Sequence, residues 1–60
     1  MNLKIIADAL LGIVDFYPDF EPKSIKISKE TVYCFSDEDE YSISANMRTQ
    51  MIIREKLDND

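Results

Sequence analysis

Residues 24–45 read SIKISKETVYCFSDEDEYSISA. Three short runs in this stretch are separated by charged breaks. In the first, 24–28, Ile25 and Ile27 alternate with polar neighbours. The second, 31–36, sets Val32 and Cys34 on one face and Tyr33 and Phe35 on the other. In the third, 41–45, Tyr41, Ile43 and Ala45 fall in phase. Alternation with period two marks a half-buried strand. A turn at Lys29-Glu30 places Ile27 opposite Val32 and Ile25 opposite Cys34. A turn centred on Glu38-Asp39 places Cys34 opposite Ile43 and Val32 opposite Ala45. One apolar face results, with Tyr41 at its margin, and a one-residue slip in any strand would destroy it. The stretch therefore predicts a three-stranded antiparallel meander. Neither turn has the glycine or asparagine that tight hairpins favour.

The other face of that sheet carries Lys26, Tyr33, Phe35, Ser42 and Ser44, with Phe35 opposite Ser42 and Tyr33 opposite Ser44. Aromatic rings bordered by serines suit the centre of a binding patch. The plainer alternative is that the C-terminal segment folds over them.

Upstream, Leu3, Ile6, Ala7, Leu10, Ile13, Val14 and Tyr17 recur at three- and four-residue steps, the period of one helix face. Asn2 suits the N-cap, and Pro18 ends the helix. Ile5, Ala9, Gly12 and Phe16 form a second stripe. Charges are confined to Lys4, Asp8 and Asp15. A helix this apolar is expected to be buried on more than one side. Its small residues Ala9 and Gly12 admit a second helix, so Ile5, Ala9, Gly12 and Phe16 are the candidate contact for a second copy or a partner.

A connector follows in which Asp-Phe-x-Pro occurs twice, at 15–18 and 19–22. Proline stiffens it. Phe16 and Phe20 beside acids suit docking into a basic, apolar groove; the plain reading is an ordinary link whose phenylalanines cap the core edge. After the meander, residues 46–57 are rich in Met, Arg, Gln, Glu and Lys, good helix formers, with Asn46 as cap. A short C-terminal helix is predicted there. The competing reading continues the strand alternation through Met47, Thr49, Met51 and Ile53. The expected fold is α+β: an N-terminal helix on a three-stranded meander with a C-terminal helix, in one domain spanning 1–60 that frays at 58–60.

Sixty residues make a marginal core, of the order of 3–5 kcal/mol, and such scaffolds commonly lean on a disulfide, a metal or another chain. One cysteine, Cys34, and no histidine leave association with another chain, so a homodimer is expected. No secretory leader is legible: the apolar run 3–14 is interrupted by Asp8 and too short to span a bilayer. The unpaired cysteine fits a reducing cytoplasm.

The net charge of −5 disfavours direct contact with nucleic acid or an anionic membrane surface. Segment 23–36 is positive and 37–40 holds four successive acids. Nucleophile–base catalysis relies most often on histidine, and the clustered acids of one exposed turn lack the shielding of a carboxylate pair in a cleft. A calcium loop needs a mid-loop glycine and a distal glutamate, which this turn lacks. No catalytic, metal or cofactor-binding residue is expected. What remains is a binding protein: an acidic inhibitor or adaptor that occupies a surface of a larger protein, through Asp37, Glu38, Asp39, Glu40, Tyr33, Phe35, Phe16 and Phe20. In a sharper version the acids stand in for phosphates and block a nucleic-acid site. The alternative is a structural or regulatory homodimer, antitoxin-like or part of an assembly. In size and acidity the chain resembles the compact inhibitors that phages make, a likeness of composition carried by no motif.

Overall fold

The computed structural model describes residues 2–57. Helix α1 spans Leu3–Phe16. Asn2 caps it, its Oδ1 accepting the Lys4 amide at 2.8 Å, which satisfies one of the four amides a helix start leaves unpaired. The helix ends at Tyr17, whose amide still donates to the Ile13 carbonyl; Pro18 can donate nothing further.

Strands β1 (Ser24–Ser28), β2 (Thr31–Phe35), β3 (Tyr41–Asn46) and β4 (Ile52–Lys56) form one antiparallel sheet in the order β1-β2-β3-β4. The first three pair in the register read from the alternation: Ile27 with Val32, Ile25 with Cys34, Cys34 with Ile43 and Val32 with Ala45. Helix α1 lies over β2 and β3. Ile13, Val32, Cys34, Ile43 and Ala45 are buried between the layers, ringed by Ile6, Ala9, Leu10, Tyr17, Phe20, Tyr41, Met47 and Ile52.

Two expectations need correction. The C-terminal helix is absent and the sheet has four strands instead of three. The local signal was real: Asn46 Oδ1 accepts the amides of Arg48 and Thr49, both at 2.9 Å, and the Gln50 amide reaches the Asn46 carbonyl. That is one helical turn with its cap. Gln50 then takes a left-handed conformation, φ 65°, and the Asn46 amide donates to the Met51 carbonyl, so the chain reverses. Ile52 pairs with Ala45 and packs on the core. Differences in helix propensity amount to a few tenths of a kcal/mol per residue. Pairing along an open strand edge and covering Ile52 outweigh them. The extended alternative also fails in detail, because the turn reverses the phase: Ile53 lies opposite Ser44, on the face away from the helix. The fraying expected at 58–60 lies outside the described residues.

The second correction concerns the helix. Of its residues only Ile13 is buried, while Leu3, Ile5, Leu11, Val14 and Phe16 are exposed. The sheet covers one side, and no other described segment covers the rest.

All three hairpin turns use left-handed residues other than glycine: Lys29, then Glu38 and Asp39, then Gln50. The β2–β3 loop holds this geometry through buried Ser36, whose Oγ accepts the amides of Glu40 and Tyr41 at 3.0 Å. In the β3–β4 turn the side-chain bonds, to Asn46 Oδ1 and Thr49 Oγ1, fall on the amides of Arg48, Thr49 and Met51 beside Gln50. A left-handed L-residue costs roughly 1–2 kcal/mol, so Gln50→Gly should stabilise the fold by about 1 kcal/mol and raise the thermal midpoint by about 4–8 °C in a circular-dichroism melt; an unchanged or lower midpoint would show that the turn is not strained there.

Burial also pushes the Cys34 thiol up from its ordinary value of 9.0. The folded state holds that proton more tightly than the unfolded chain, so this contribution is present below about pH 9 and is lost as pH rises through the folded value. Denaturant midpoints should therefore drop in the alkaline range for the wild type and much less so for Cys34→Ala, compared on each protein's own neutral-pH midpoint. An equal drop in both would remove Cys34 as the cause.

A candidate protein interface

The acidic turn lies between β2 and β3, with Asp37–Asp39 in a single 3-10 turn and all four acids exposed. Around it, at the same end of the sheet, the chain places the end of α1, the proline connector and the end of β4. The Phe20 ring meets Tyr41, centroids 5.6 Å apart, and Lys23 Nζ reaches Asp39 at 2.8 Å. Asp15, Asp19, Glu21, Asp37, Glu38, Asp39, Glu40 and Glu55 thus share one end, with Lys23, Arg54 and Lys56 as the bases there among the described residues. At the opposite end stand Lys4, Lys29 and Arg48, with Arg48 paired to Glu30 at 3.2 Å. Acidic charge is thus concentrated at one end of the sheet, while the bases of the other end are partly paired, Lys4 with Asp8 and Arg48 with Glu30. The Lys23–Asp39 pair is half exposed and contributes at most about 1 kcal/mol, so it orients the loop more than it stabilises the fold.

The two phenylalanines of the Asp-Phe-x-Pro repeat part company. Phe20 is half-buried against Tyr41, which also carries the Arg54 guanidinium 4.2 Å above its ring. It closes the core edge. Phe16 is 69% exposed and projects beside the acidic end.

Phe16 also lines a groove of about 450 Å³ between α1 and the β3–β4 hairpin, with Ile5, Gly12, Met47, Gln50 and Ile52, and with Asp8 and Asp15 on the helix side. The stripe Ile5, Ala9, Gly12 and Phe16 is therefore brought together along one flank. Gly12 is informative. Glycine in a helix interior is destabilising by about 1 kcal/mol relative to alanine. A Cβ at this position would meet only Ile52 Cδ1, at 3.4 Å, an ordinary contact. Neither backbone geometry nor close packing within the chain requires the glycine.

On the far face of the sheet the rings of Tyr33 and Phe35 stack at 6.4 Å and 17°, both half-buried. Strand β4 extends the sheet instead of folding over them, and it adds Ile53, 51% exposed, to the same face. This surface is separate from the groove and lies on the other side of the sheet from it. Sequence reading missed Ile53 because it placed that residue in a helix. It also missed the exposure of Ile25 and Ile27, because strand alternation tells which face a residue is on and not whether that face is covered.

Among the described residues no group of three histidine, cysteine or acidic side chains is placed to hold a metal ion, and no helix is long and apolar enough to cross a membrane. Cys34 is buried. No protein-family model, curated protein or solved structure matches this chain.

Proposed function

We propose that this chain is a non-enzymatic binding module, an acidic inhibitor or adaptor that occupies a surface of a larger protein. The observation that carries the reading is the groove beside α1. Its wall includes a glycine the fold does not need, its mouth includes an exposed phenylalanine, and its rim carries Asp8 and Asp15. A glycine here lets a partner backbone or side chain lie close to the helix, and the exposed ring offers the apolar anchor on which binding energy concentrates. The carboxylates of the acidic end supply a field that orients the approach. The matching partner surface is an apolar ridge bearing basic residues.

The test is capture of partners from a native lysate by the wild type and by two folded variants. Gly12→Leu fills the groove. The other variant replaces Asp37, Glu38, Asp39 and Glu40 with serine. A stoichiometric partner should lose at least tenfold in affinity for Gly12→Leu, and its capture by the wild type should weaken with added salt. The four-serine variant should slow association. If both variants hold the partner as the wild type does, with far-ultraviolet dichroism unchanged, the groove and the acidic turn have no part in binding.

A further inference from the structure

We infer that β1 pairs with β1 of a second copy about a two-fold axis, giving a continuous eight-stranded sheet. The inference concerns the opposite flank of α1 from the groove and does not rest on the binding reading above.

The two edges of the sheet differ. β4 is defended: Arg54 points into the helix-side face over Tyr41, with Glu55 and Lys56 beside it. Inward charge is a common way of blocking an edge. β1 carries no inward charge; its one charged residue, Lys26, lies opposite Tyr33 on the face away from the helix. It has no proline and no bulge within Ser24–Ser28, and its helix-side residues are Ile25 and Ile27, 50% and 39% exposed. They share the apolar face of Val32 and Cys34, yet they remain exposed there. The helix flank turned away from Gly12 carries Leu3 and Val14, which are exposed as well, so apolar surface runs from the helix down to the edge.

The backbone makes the edge self-complementary. In an antiparallel pair alternate residues direct their amide and carbonyl groups at the neighbour. The β1–β2 pair closes on a turn of Lys29 and Glu30, with Ser28 opposite Thr31. Ser24, Lys26 and Ser28 then serve β2, and Ile25 and Ile27 present their backbone groups outward. The strand reads SIKIS, and its central lysine narrows the register. A two-fold on Lys26 would set that ammonium against its own copy, a destabilising pairing. A two-fold on Ile25 pairs that residue with its copy and sets Lys26 opposite Ser24 and Ile27 opposite Lys23; one on Ile27 sets Lys26 opposite Ser28 and Ile25 opposite Lys29; either avoids the lysine–lysine pair. A stable interface takes about 800 Å² from each partner, roughly a sixth of the 4673 Å² surface here; the open edge and the exposed Leu3 and Val14 are the surface available to supply it. An axis normal to the sheet keeps both helices on one side and leaves both grooves free.

Sedimentation over a dilution series, with amide hydrogen exchange read at single residues, tests this. The wild type should sediment at twice the chain mass and dissociate on dilution, and the Ile25 and Ile27 amides should be protected at high concentration and lose protection as the dimer dissociates. Ile27→Lys should keep the dichroism spectrum and sediment as a monomer. A wild type that is monomeric throughout would overturn the inference. So would a dimer in which the Ile25 and Ile27 amides exchange freely, since that dimer would use another face.

Discussion

A single α-helix is about 10 Å across with its side chains, and four strands at about 4.8 Å spacing are wider than that. This mismatch governs the molecule. Helix α1 sits over β2 and β3, and the buried apolar side chains are those beneath it: Val32, Cys34, Ile43 and Ala45, closed from above by Ile13. β1 and β4 lie to either side of the roof. Ile52 is reached from one flank of the helix at Gly12, whereas Ile25 and Ile27 on the other side are not reached. The fold therefore has a narrow core and two apolar margins.

The margins are chemically unlike, and their functional readings differ for that reason. The β4 side is a groove with carboxylates on its rim, beside the end of the sheet where most acids gather. The β1 side is an unpaired backbone edge that carries the exposed Ile25 and Ile27. Directional hydrogen bonding favours a strand as the occupant of the second, whereas the first is shaped for a side chain or a helix face. A chain of sixty residues buries a smaller share of its surface than a larger domain does. Association on either margin would therefore add to the stability of the core as well as to any activity.

Much of this was legible in the residues. The register of β1, β2 and β3 followed from Ile25, Ile27, Val32, Cys34, Ile43 and Ala45 together with turns placed at the charged breaks, because a one-residue slip would break their common face. The start of α1 at Asn2 and its end before Pro18 were equally local. β4 was not legible. Met47, Arg48 and Gln50 favour a helix, and Asn46 does cap one turn, but the left-handed Gln50 and the pairing of Ile52 with Ala45 are settled by the edge of β3, a long-range term. The left-handed Lys29, Glu38 and Asp39 were hidden for the same reason: no glycine marks them. Of the expected contact residues, Phe16 and the acids of 37–40 are exposed, Phe20 is held by Tyr41, and Tyr33 and Phe35 shield one another on a face that β4 leaves open.

The helix covers only the middle of the sheet. Isoleucine methyl groups report on it directly, since Ile13, Ile25, Ile27, Ile43, Ile52 and Ile53 sample the core, both margins and the far face. The decisive measurement is methyl relaxation by a soluble paramagnetic probe, recorded on a dilute sample shown by sedimentation to be monomeric. The Ile13 and Ile43 methyls should be shielded, and those of Ile25, Ile27 and Ile53 strongly relaxed. Shielding of Ile25 and Ile27 equal to that of Ile43 would mean that the helix, or another part of the chain, roofs β1, and the account of both margins would be wrong.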